Sequence, residues 1–185
     1  MNVLLGVTGG IAAYKAADLT SQLLKIGASV RVVMTPGATQ FVGPLTFEAL
    51  CGHPVMVDTF ATGGSPDGAS AVEHIAWAKW ADVAVIAPAT AASLGKLAHG
   101  IADNALLTVW LALPQAVPQL ICPAMNTVMW EHPAVQQNLR TLQGHDRYRI
   151  IQPVSKRLAC GDVGVGGLAE TADIVSAVQA CARPA

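Results

Sequence analysis

The sequence predicts a single α/β domain, an open parallel sheet covered by helices on both faces. Three observations carry this. Short β-branched or apolar runs recur at residues 3–7, 29–34, 83–87 and 117–122. Helical spacing fills the intervals between them. At 185 residues the chain has the length of one domain, and no linker or internal repeat divides it.

The elements follow in order. Residues 3–7 are wholly apolar and run into glycines, so they read as a buried strand. Residues 11–26 carry Ala, Leu and Lys at helical spacing, and Gly27 marks the stop. With the second run, 29–34, they make a β-α-β unit with a right-handed crossover. A helical stretch starts at Thr35-Pro36 and continues through Phe41, another covers 45–50, and 53–60 read as a short strand. Residues 61–70, rich in Gly, Ser and Pro, are expected as a loop. Helix 73–80 leads into strand 83–87; helices 91–99 and 104–113 follow, then strand 117–122, helix 133–143 and a short strand at 149–152. Residues 153–170 are glycine-rich and without period, and are expected to form an irregular functional flap. Helix 171–181 closes the domain, which spans 1–185.

Composition narrows the partners. Hydrophobic residues make up 52% and charged residues 12% of the chain. So little charge leaves apolar surface to be covered by other subunits, and a homo-oligomer is expected. The net charge is −1 and no basic run exists, which argues against nucleic acid as a partner. No arginine-rich amphipathic segment points to a membrane. Residues 106–130 are uncharged, but Pro114, Pro118 and Pro123 break them, so they read as buried helix, loop and strand. The N-terminus lacks a signal-peptide pattern. Cys51, Cys122, Cys160 and Cys181 have neither metal-ligand spacing nor a secretory context, so a cytoplasmic protein without a metal site is expected.

Ligands of open parallel sheets bind beyond the carboxyl ends of the strands. At the first such end, Gly6-Val7-Thr8-Gly9-Gly10-Ile11-Ala12-Ala13-Tyr14-Lys15 places glycines between a strand and a helix. Bare backbone and the first helical N–H groups suit a phosphate on Thr8, Gly9, Gly10 and Ile11. Neither the P-loop pattern nor G-x-G-x-x-G is present. The second strand ends in Met34-Thr35, where a dinucleotide fold carries an acidic residue. A mononucleotide fits better, with FMN the leading candidate and Thr35 and Thr90 as further hydroxyl donors. Pro88-Ala89-Thr90 and Pro123-Ala124-Met125-Asn126 end the next strands. Small residues at the first let a flat ring approach, and the Asn126 amide at the second suits a carboxylate or a flavin edge. Thr90 and Ser93 read equally well as helix caps, and Asn126 taken alone reads better as one. His74 by itself reads as a structural or exposed histidine. Cys160 sits among glycines with no regular element to pack it, which favours a reactive thiol.

Taken together these segments resemble the flavin-containing cysteine decarboxylases. The resemblance runs in order from Gly6–Lys15 through His74, Pro88-Ala89-Thr90 and Pro123-Ala124-Met125-Asn126, with Met129 and Trp130, to Ala159-Cys160-Gly161-Asp162. It implies a flavodoxin-like, Rossmann-like fold, with FMN at a subunit interface of a trimer that often assembles into a dodecamer. It implies that His74 is the catalytic base, that Asn126 binds the substrate carboxylate, and that Cys160 is the proton donor of the reductive half. Cofactor contacts would come from Thr8, Gly9, Gly10, Ile11, Thr35, Pro88, Ala89, Thr90 and Met125. The nearest branch decarboxylates 4'-phosphopantothenoylcysteine to 4'-phosphopantetheine in coenzyme A biosynthesis, with a fused or separate synthetase as partner. Flavin prenyltransferases, peptidyl-cysteine decarboxylases and non-catalytic regulatory flavoproteins are the alternatives. Two positions depart from the family pattern: Gly167, near which many relatives carry a basic residue, and Ala92, where many carry Asn.

Overall fold

Side-chain alternation along the first strand sorts the domain into two faces. The computed structural model describes residues 1–59, 73–159 and 161–181. In β1 (Asn2–Val7), Val3, Leu5 and Val7 share a core with Ala16, Leu19 and Leu23 of α1 (Lys15–Lys25) and with Ile174 and Val178 of α8 (Thr171–Cys181). Leu4 points the other way. It shares a second core with Trp77 of α3 (Glu73–Trp80), Leu94 of α4 (Ala91–Ala98), Leu106 and Trp110 of α5 (Ala105–Ala112), and Leu139 of α7 (Pro133–Gln143). Gly6 also faces this second layer. A Cβ there would lie 2.8 Å from Trp110 Cη2, so the indole takes the space the glycine leaves.

β2 (Ser29–Met34), β3 (Val83–Ala89), β4 (Gln119–Pro123) and β5 (Tyr148–Ile150) complete a five-stranded sheet. Its order is β2-β1-β3-β4-β5 and every pairing is parallel. The chain winds outward from β1 to β2, then returns past β1 to lay down β3. The two windings part between β1 and β3, which opens a crevice at their carboxyl ends. This is the flavodoxin-like order, as the sequence implies.

Several local expectations are corrected. The helix expected over 11–26 opens as a 3-10 turn, Ile11–Tyr14, before α1 begins; Gly27, at φ +81°, ends it as expected. The helical stretch after Thr35 is one 3-10 turn, Ala38–Gln40, and the next helix is α2 (Pro44–Cys51). No strand forms across the described part of 53–60. Met56 makes a single parallel bridge to Val33, because β2 is an edge strand and only that residue comes into register. β3 runs two residues further than expected, to Ala89, and β4 begins two residues later, at Gln119. The largest correction concerns 153–170. These residues form an antiparallel hairpin, β6 (Val154–Arg157) paired with β7 (Val163–Gly167). Glycines alternate with valines in β7 because its glycine side rests on other residues, as described below. The loop expected over 61–70 lies outside the described residues.

Candidate active site

The crevice between β1 and β3 is built from the strand ends upward. Thr8 follows β1 and is fully buried. Its hydroxyl donates to the Pro88 carbonyl at 2.7 Å and accepts from the Thr90 N–H at 3.0 Å. One side chain thus ties the end of β1 to the end of β3. Gly9 is held against the loop after β2, where a Cβ would come within 2.7 Å of the Gly37 carbonyl carbon. Only a residue without a side chain lets those two backbones touch. Gly10 is different. A Cβ there would meet only Thr90 Cγ2, at 3.4 Å, and Gly10 borders open space.

That space is a cavity of about 760 Å3, within the usual range for a small-molecule site of roughly 300–1,000 Å3. Gly9, Gly10 and Ile11 form one wall, and Thr90, Ala91 and Ala92 bring the first turn of α4 to it. Thr90 caps that helix by accepting from Ser93 N at 3.4 Å. Helix-start N–H groups and bare glycine backbone therefore converge on one region, an arrangement that favours an anion.

The opposite wall comes from the loop after β4. Asn126 is the N-cap of α6 (Thr127–Glu131), its Oδ1 accepting from Met129 N at 2.8 Å. The cap orients the amide, and Nδ2 has no partner among the described residues. Asn126 thus presents a donor at the cavity edge. The β6–β7 hairpin roofs the site. The Met125 N–H donates to Gly166 O at 2.9 Å, and a Cβ at Gly164 would run into Thr127. Gly166 lets the hairpin lie flat on the Met125–Asn126 backbone, and Gly164 leaves room for the Thr127 side chain. Leu158 and Ala159, in the turn of the hairpin, line the cavity. Cys160 itself lies outside the described residues.

The structure divides the residues singled out from sequence. Gly9, Gly10, Ile11, Thr90, Met125 and Asn126 line the cavity. Thr8, Thr35, Pro88 and Ala89 do not; they are buried in the strand ends. Thr35 uses its hydroxyl to accept from Ala38 N at 3.3 Å, and the Ala89 carbonyl accepts from Ala124 N at 3.1 Å. His74 stands in the first turn of α3 and is not among the described residues that line the cavity. Lys15, Lys156 and Arg157 line it without a role in the sequence reading. Lys156-Arg157 is the only pair of adjacent basic residues in the chain, and it falls in the glycine-rich segment. That is the signal by which sequence could have found it. No described lining residue is acidic, so the cavity has a positive excess. Burial pushes the Cys122 thiol far up, and this cysteine is a core residue rather than a nucleophile.

Known proteins are similar to this chain along its length. A flavoprotein family model matches residues 1–183. The coenzyme A biosynthesis bifunctional protein CoaBC of Bacillus subtilis (strain 168) is 49% identical over 178 residues, covering 96% of this chain and 42% of that protein. A protein of Streptococcus mutans serotype c named "Probable phosphopantothenoylcysteine decarboxylase" is 48% identical over 177 residues, 96% of each chain. The chain thus spans less than half of the bifunctional relative and nearly all of the shorter one. Among solved structures, a mutant PPC decarboxylase complexed with pantothenoylaminoethenethiol superposes with a TM-score of 0.83 at 34% identity, over 97% of this chain and 96% of that one. The FMN-dependent cysteine decarboxylase SpaF gives 0.80 at 36%, over 99% and 98%. With its 2-1-3-4-5 sheet, its glycine-walled cavity and these matches along its length, the chain belongs to the flavoprotein family.

Proposed function

We propose that this chain binds FMN and decarboxylates 4'-phosphopantothenoylcysteine to 4'-phosphopantetheine, a step of coenzyme A biosynthesis. One observation carries the reading: the glycine loop, the Asn126 amide and the hairpin residues Leu158 and Ala159 converge on one cavity. The site fits the cofactor on its own terms. Gly10 and the start of α4 offer backbone donors to a phosphate, and Ala91, Ala92 and Met125 offer a flat apolar wall to a ring. Ala92, one of the two departures from the family pattern, keeps that wall smooth. The chemistry a bound FMN supplies is a reversible two-electron sink beside the thiol-bearing carbon, which a cysteine-derived carboxylate lacks by itself.

The chain's residues do the rest. Asn126 donates from Nδ2 to the substrate carboxylate and holds it for loss of CO2. The hairpin roof keeps water off the carbanionic product of that loss. Cys160 gives a proton to carbon in the closing reduction, so that the saturated thiol leaves. His74 takes the thiol proton. We place it at the cavity of a neighbouring copy, since it stands outside its own chain's cavity. A homo-oligomer, a trimer or a dodecamer of four trimers, belongs to this reading. Ile11, Tyr14, Phe41 and Leu45 are large, exposed and apolar, as an interface requires. A synthetase, fused or separate, would supply the substrate. No helix among the described residues is long and apolar enough to cross a membrane. The three described cysteines are free thiols, as a reducing cytoplasm keeps them.

The test is purified protein with phosphopantothenoylcysteine, followed by mass spectrometry. Phosphopantetheine is expected. An enethiol end product would move the protein to the peptide-type reaction, and no turnover by folded, flavin-loaded protein would overturn the reading.

A further inference from the structure

The hairpin carries a cation that the proposed reaction has not used. Lys156 lies on β6, and its aliphatic stem crosses the bare backbone of Gly167 on β7. A Cβ at Gly167 would come within 2.8 Å of Lys156 Cγ and closer still to Cε. Any side chain at 167 and Lys156 in this position therefore exclude each other. The departure at Gly167 gains a physical account: the basic group at the inner edge of the flap is delivered from the facing strand.

The ammonium end is fixed. Lys156 Nζ donates to the Leu168 carbonyl at 2.8 Å and lies 3.4 Å from Glu170 Oε1. Glu170 is 61% exposed and neutralises it weakly. On the cavity side stands Lys15, one turn beyond the glycine loop, lining the same cavity as Lys156. Desolvation first, then the contact and charge of Lys15, lower the pKa of Lys156, while Glu170 acts in the opposite direction. Arg157 adds a third cation to the same wall. Two lysines and an arginine that line a cavity with no acidic residue among its described lining form an incomplete electrostatic arrangement. A ligand with two negative charges completes it.

We propose that Lys156 is a specificity-determining residue that, with Lys15, holds the dianionic phosphoryl end of the substrate. This subsite is separate from the Gly10 wall, where the flavin phosphate would sit. The proposal rests on the decarboxylase reading above and names the part of the substrate that the chain selects for.

Phosphate on a flavin and phosphate on a substrate are the same chemistry, so the test separates them. The flavin-loaded protein is titrated calorimetrically with phosphopantothenate and with pantothenate, neither of which carries the reacting thiol. Phosphopantothenate is expected to bind the wild type more tightly. Lys156→Met is expected to weaken it about 10- to 100-fold, the range for hydrogen bonds to charged groups, with flavin content and pantothenate binding unchanged. With phosphopantothenoylcysteine the loss falls on KM rather than kcat. Lys156→Arg, which keeps the charge, is expected to recover binding to within about threefold.

Equal binding of the two probes by the wild type would overturn the proposal. So would an unchanged phosphopantothenate affinity in Lys156→Met, while turnover by the wild type left the decarboxylase reading standing. Parallel loss of flavin would assign the lysine to the cofactor, and failure of Lys156→Arg would assign the effect to the hairpin's fold; both overturn it. Phosphate-selective binding without any turnover would overturn the decarboxylase reading and leave the subsite in place.

Discussion

Replacing Thr8 by Val tests whether its hydroxyl serves the fold or the cofactor. Valine has nearly the same shape and fills the same buried space. It removes the group that accepts from Thr90 N–H and donates to Pro88 C=O. Both partners are then left at the β1–β3 crevice without replacement. A buried polar group without its hydrogen bond costs about 1–3 kcal/mol. The Pro88 carbonyl is buried and the Thr90 N–H partly so, which gives about 2–5 kcal/mol in total. In a domain of this length each kcal/mol lowers Tm by about 2–4 °C. The flavin-free Thr8→Val protein should therefore melt about 5–15 °C below wild type. Thr8→Ser keeps the oxygen and loses one methyl group, worth about 1 kcal/mol, and should melt within about 4 °C of wild type. Thermal unfolding followed by circular dichroism on the flavin-free proteins measures this directly. An unchanged Tm in Thr8→Val, with flavin lost on purification, would refute the reasoning. It would return Thr8 to the phosphate-binding role that its place in the sequence suggests.

The remaining predictions concern Gly9 and Gly10, which sequence treats alike, and Asn126. Gly9→Ala forces a methyl against the Gly37 backbone and should cost about 1–3 kcal/mol, read as a lower Tm without flavin. Gly10→Ala has room beside Thr90 Cγ2; its Tm should stay within about 2 °C while flavin affinity falls about tenfold, since the methyl sits at the cavity wall. Asn126→Asp keeps the cap on Met129 N and should leave Tm unchanged, yet turnover should drop at least about 100-fold, because a second carboxylate repels the substrate's own. Asn126→Ala should lose turnover and also about 1 kcal/mol of stability from the missing cap.

Much of the scaffold is legible in the sequence because it depends on local pattern. The run 29–34 and the helices 73–80, 133–143 and 171–181 have the bounds that their periodicity predicts. Burial on one stripe or on both faces of a strand leaves a mark at every third, fourth or second residue. The hairpin is the counterexample. In Val163–Gly167 the positions that would normally be apolar are glycines, because the surfaces they meet are the Thr127 side chain, the Met125–Asn126 backbone and the Lys156 stem. No hydrophobic period survives such packing, so the segment reads as irregular until its neighbours are known.

The candidate site divides along the same line. That glycines at the end of β1 face an anion, and that Asn126 lies at another strand end, follows from residue type and from the rule that ligands sit beyond the strand ends. Residue type alone does not say which of several neighbours turns toward the cavity. Thr8 and Thr90 both read as cofactor contacts; the register of β1 on β3 buries one as a tie between strands and leaves the other on the wall. Gly9 and Gly10 read as one cradle, and the approach of the loop after β2 makes the first a packing residue. Lys15 and Lys156 stand 141 positions apart and line one cavity only because the hairpin docks across the strand ends. Local periodicity and residue chemistry wrote the element order and the kind of ligand into the chain. Which side chains face that ligand is a long-range property, set by how strands register and how the hairpin docks.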